Sequence, residues 1–152
     1  MQIYFLFIKS NFRLVKEKKA PAKLAKKSTA KKTLKKPLED PINKLIIDTI
    51  INKKGQNISL LDLREVSGPT DYFIICEADN ITLTKAIADY ISKEVKDQLG
   101  IHPNHIEGKE QAKWVLVDYF TTVVHIFHKD VRKFYELEHL WSDANSIEFN
   151  QL

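Results

Sequence analysis

Cysteine occurs once and glycine four times in the 152 residues. The lone Cys76 excludes an intrachain disulfide. It lies in an apolar strand pattern, YFIIC, and reads as a small buried hydrophobe in a reducing compartment. So few glycines leave little for a nucleotide cradle, and neither a phosphate loop nor a dinucleotide fingerprint occurs. No His-Glu-x-x-His zinc pattern occurs either. The N-terminal MQIYFLFIK holds an apolar run of six residues, where a membrane span requires about 20. No basic residue precedes that run and no small-residue cleavage site follows it, which argues against a secretory signal. It stands as a misassigned start, a sticky terminus or an organellar targeting peptide. A presequence is usually Arg-rich, and here only Arg13 follows.

Acidic residues are nearly missing from the first part of the chain. Before Pro37, Glu17 stands alone against twelve basic residues; from Leu38 onward twelve basic residues face nineteen acidic ones. The net charge of +4 therefore conceals a basic arm on an acidic body. A basic arm favours nucleic acid through counterion release. An acidic body favours basic partners. Repulsion between lysines and the shortage of large apolar residues in KEKKAPAKLAKKSTAKKTLKKP argue against packing. Residues 1–38 read as a disordered basic extension, 39–144 as the folded domain and 145–152 as a tail.

What is present suits one compact domain. Asp40 and Pro41 form an N-cap and first helical position ahead of Ile42, Leu45, Ile46 and Ile50 at helical spacing. Gly55 is placed to close that helix. NISLLDLREV and TDYFIICEA read as strands separated by SGP. Ile87, Ile91 and Val95 mark a second helix stopped by Gly100. HPNHIEG is a short extended piece, WVLVDYFTTVVHIFH a hairpin, and KDVRKFYELEHLWSDA a helix. That last helix has Asp130 as its cap and Phe134, Leu137 and Trp141 on one side. The order predicts an α/β (α+β) sandwich, a mixed β-sheet flanked by helices.

A two-residue turn at Phe120-Thr121 would set Trp114 opposite Phe127, Leu116 opposite His125 and Asp118 opposite Val123. Such turns favour Gly, Asn or Asp, so Phe-Thr fits poorly. Both hairpin faces are rich in apolar residues, which suits either a central strand under helices or an aromatic docking face. Catalysis finds little support. Asp118 and His125 form a candidate acid–base pair but lack a nucleophile. Asp62 has Arg64 two residues on, where a metal would need a second carboxylate. His125 and His128 point to opposite faces, and His102 and His105 lack a third ligand at a recognised spacing. No metal and no cofactor is expected.

The blocks LDLREVSGPTDYFIICEADN, AIADYI, HIEGKEQAKWVLVDY and VVHIFHKDVRKFYELEHLWSDA together resemble the ribosomal silencing factor family (RsfS, Iojap-like). The resemblance runs from Pro41 to Ala144. It implies a nucleotidyltransferase-like fold without catalytic residues, hence not an enzyme. It also implies binding to the large ribosomal subunit at large-subunit protein number fourteen. Steric blocking of small-subunit joining would then repress translation in starvation. Organellar relatives act in large-subunit assembly, which is the alternative role; a divergent nucleotidyltransferase is a second. Carried over, the partner-binding residues are Trp114, Asp118, Tyr119, His125, Tyr135, Glu138 and Trp141. The arm lysines Lys18, Lys19, Lys26, Lys27, Lys31, Lys32, Lys35 and Lys36 would contact ribosomal RNA. A homodimer, no membrane, and the bacterial cytoplasm rather than an organellar matrix complete the expectation. The chain departs from the family at two places. Phe120-Thr121 replaces the usual Gly-Asp, and CEADN replaces a Thr-Gly-x-Ser segment.

Overall fold

The computed structural model describes residues 36–149. The hexapeptide run and every arm lysine but Lys36 lie outside the described residues. A 3-10 turn at Pro37–Glu39 leads into helix α1, Pro41–Asn52. The Asp40 carboxylate accepts the Ile42 N–H at 3.1 Å, so the cap read from sequence forms. At the other end Lys54, not Gly55, takes the left-handed conformation, with φ 61°. Gly55 is needed for room instead. A Cβ there would stand 2.4 Å from the Ile50 methyl.

Strands β1 (Gln56–Asp62) and β2 (Tyr72–Ala78) pair antiparallel. Helix α2 (Ile81–Leu99) is capped by Asn80, whose side chain accepts the Leu83 N–H, and stops at Gly100 with φ 68°. The departure at CEADN thus supplies a helix cap. Strands β3 (His105–Glu107), β4 (Trp114–Asp118) and β5 (Thr122–His128) follow. The hairpin register is the one expected, Trp114 opposite Phe127 and Asp118 opposite Val123.

The sheet order is β3-β4-β5-β2-β1-β6, with β2 and β5 parallel and every other pair antiparallel. Strand β6, Asn145–Phe149, pairs with β1 along its free edge. The segment read as a tail therefore belongs to the sheet. Its alternation, half-buried Ile147 and Phe149 against exposed Ser146 and Glu148, is too short to stand out in sequence.

Helices α1 and α2 cover one sheet face, where Ile46, Ile50, Leu60, Ile74, Ile87 and Val124 pack. The region after β5 covers the other. It was expected to be one helix, but it breaks into α3 (Lys129–Tyr135) and a single turn α4 (Leu137–Leu140), with Glu136 at φ 44° between them. Its cap is His128, whose Nδ1 accepts the Asp130 N–H at 3.4 Å; Asp130 caps nothing. The break turns Leu137 and Trp141 inward and leaves Phe134 81% exposed, so these three do not share a side.

Candidate partner-docking face

Side-chain alternation on β4, β5 and β2 sends Trp114, Leu116, His125, Phe127 and Phe73 to the face beneath α3 and α4. The Trp114 ring stacks on Phe127 at 4.9 Å between centroids and meets Tyr135 at 4.8 Å. Phe73 sets its ring edge-to-face against His125 at 4.6 Å and Trp141 at 5.7 Å. These spacings are those of favourable aromatic pairs.

The Trp114 indole Nε1 donates to His125 Nδ1 at 3.2 Å. That bond requires Nδ1 to be bare, so the neutral ring carries its proton on Nε2. Nε2 meets no partner among the described residues. Burial pulls the imidazole down to about 3. His125 is therefore neutral at ordinary pH, and it makes no hydrogen bond with Asp118. The Asp118 carboxylate instead accepts the Phe120 N–H at 2.7 Å. The acid–base pair considered from sequence does not form.

Exposure divides the seven expected docking residues. Trp114, Tyr119, His125 and Trp141 are buried, which corrects the expectation of an aromatic surface led by Trp114. Trp114 and Tyr119 moreover lie on opposite sheet faces. The Tyr119 phenol sits under α2, where burial pushes it up to about 12 and the nearby Ser92 hydroxyl offsets this in part. Only Asp118, Tyr135 and Glu138 keep partial exposure.

Glu138 is held by Arg132 through its Nε at 3.0 Å and through Nη2. The same guanidinium pairs with Glu77 at 3.3 Å, reaches Ser59 at 3.3 Å and donates to the Asn57 carbonyl. It ties α3 and α4 to β1 and β2, beside a groove of about 460 Å³ lined by Ser59, Trp141 and Ser146. Sequence reading missed Arg132, because its partners are scattered over eighty residues. It also passed over Phe120 as a docking residue, although the poor turn match at that position was the signal. Phe120 is 71% exposed.

Elsewhere Asp62 is engaged by Arg64 at 2.9 and 2.6 Å, which holds its carboxyl below the usual range. Cys76 is buried and its thiol pushed up to about 12, so it is inert. Among the described residues no cluster of His, Cys, Asp and Glu has the make-up of a metal site. No described helix is long and apolar enough to cross a membrane.

Fold and face together define an α+β domain whose mixed six-stranded sheet is covered on both sides. The pattern of the family described as "Ribosomal silencing factor during starvation" matches residues 37–152, and the chain belongs to that family. It is 39% identical over 105 residues to the ribosomal silencing factor of Halalkalibacterium halodurans, covering 69% of this chain and 89% of that one. The Bacillus subtilis ribosomal silencing factor is 44% identical, over 61% of this chain and 78% of its own. A mouse protein named for mitochondrial assembly of the ribosomal large subunit is 26% identical, over 64% of this chain and 44% of its own. A crystal structure of a Chromobacterium violaceum protein superposes with a TM-score of 0.65 at 32% identity, covering 70% of this chain and 87% of that one. One from Bacillus halodurans gives 0.61 at 37%, covering 70% and 95%.

Proposed function

We propose that this chain binds the large ribosomal subunit through a basic protein at the intersubunit face, large-subunit protein number fourteen. Bound there, it blocks joining of the small subunit and represses translation in starvation. It acts by occlusion, not catalysis. Family membership carries this reading. The acidic balance of the folded part supports it, since an excess of carboxylates suits a basic ribosomal protein. An occluding factor needs a rigid body and a complementary surface. Packing on both sheet faces supplies the first. Asp118, Tyr135 and Glu138 contribute to the second, while Trp114, Tyr119, His125 and Trp141 hold the sheet that carries them. The arm lysines reach ribosomal RNA, and the protein works in the bacterial cytoplasm as a homodimer.

Large-subunit assembly is the second reading, favoured by the mouse relative's name. A nucleotidyl-transfer site is disfavoured by the engagement of Asp62 with Arg64 rather than with a second carboxylate.

Sedimentation of the purified protein with separated subunits tests the proposal. Co-migration with large subunits, and fewer joined ribosomes when small subunits are added, are expected. Binding to small subunits alone, or to neither, overturns it.

A further inference from the structure

The β4–β5 turn holds a phenylalanine where the backbone favours glycine. Phe120 has φ 66°, a region in which an L side chain crowds its own carbonyl. Three neighbouring bonds keep it there. The Asp118 carboxylate accepts the Phe120 N–H at 2.7 Å, and the Thr70 hydroxyl donates to the Phe120 carbonyl at 2.6 Å. The Tyr119 N–H closes the turn on the Thr122 carbonyl at 2.9 Å. From β2, the Tyr72 N–H donates to the Thr121 carbonyl at 2.9 Å, so the turn is also fixed to the neighbouring strand.

All this constraint serves little packing among the described residues, because the ring is 71% exposed. Strain that is over-determined by its surroundings, with an apolar ring in water, points to a function outside the chain. Carboxylates dominate the surroundings. Asp118 and the exposed Asp71 flank the turn, Asp40 lies at the same end of the sheet near Tyr72, and the nearby Arg64 is committed to Asp62.

We infer that Phe120 is a preorganised aromatic anchor that inserts into an apolar recess rimmed by Lys or Arg on a basic protein partner, with Asp71 and Asp118 meeting the rim. A rigid ring loses little conformational entropy on docking, which is why such rings dominate interface energetics. The inference deepens the proposed ribosomal reading and rests on it.

Phe120→Gly separates anchor from scaffold, since glycine tolerates φ 66° without strain. The variant is expected to keep its melting temperature or gain about 5 °C. Its binding to large subunits, measured by sedimentation, is expected to weaken at least about tenfold. Phe120→Trp should restore binding. Wild-type affinity in Phe120→Gly overturns the anchor and leaves the ribosomal reading standing. Failure of the wild-type protein to bind overturns both. Loss of self-association by sedimentation velocity, with subunit binding unchanged, overturns it in favour of a second copy as the partner.

Discussion

The indole of Trp114 and the imidazole of His125 share one hydrogen bond inside the covered sheet face, with Nε1 donating to Nδ1 at 3.2 Å. Protonating His125 would turn its only engaged acceptor into a donor and place a charge among Phe73, Trp114 and Phe127.

Stability should accordingly fall as pH drops. The folded-state value of His125 is about 3 against an ordinary 6.5, so the unfolded chain takes up the proton first. The contribution is complete above pH 6.5 and declines to about pH 3. At pH 5 the loss is about 2 kcal/mol. Urea denaturation of wild type and His125→Phe across pH 7 to 5 measures it. The variant should lose most of the slope, and equal slopes would show that His125 does not control it.

Trp114→Ala should act on folding before it acts on binding. The ring is 2% exposed and touches Phe127, Tyr135 and His125. Truncation should cost about 3–5 kcal/mol. Trp114→Phe should recover much of that stability and bind subunits nearly as wild type does. A stable Trp114→Phe that fails to bind would restore the indole to the interface.

Two adjacent positions after α1 should respond in opposite senses. Gly55→Ala forces a methyl against Ile50 and should destabilise by about 1–3 kcal/mol. Lys54→Gly relieves a left-handed lysine at φ 61° and should be neutral or stabilising by up to about 1 kcal/mol. Thermal unfolding of both distinguishes steric crowding from backbone strain as the reason for the order Lys-Gly.

Deleting the residues before Pro37 removes twelve positive charges. If the arm holds ribosomal RNA, the salt dependence of large-subunit binding should become markedly shallower. An unchanged slope would mean that the arm makes no phosphate contact.

The helices and central strands were legible because their signals are local and periodic. Asp40 opens α1 and Gly100 stops α2, and alternation in WVLVD and TVVHIF fixed the hairpin register. Three features were not legible for one reason, namely that each depends on distant contacts. Strand β6 exists because β1 offers it an edge. The helix break at Glu136 sets Glu138 against Arg132, six residues back, and Ser59 and Glu77 complete that network from other strands. The docking residues carried over from the family gave identities without depth, and depth alone separates Trp114 in the core from Phe120 in solvent.

The parallel pair at the centre of the sheet joins Tyr72 to Thr122 and Ala78 to His128, partners about fifty residues apart along the chain. The β1–β2 hairpin can form early, but its inner edge waits for β5 and its outer edge for β6. Closing such long loops is slow relative to making local contacts. During synthesis the β1 edge must therefore stay open until Asn145–Phe149 has left the tunnel. The six-stranded sheet is therefore complete only once β6 has emerged from the ribosome that makes it.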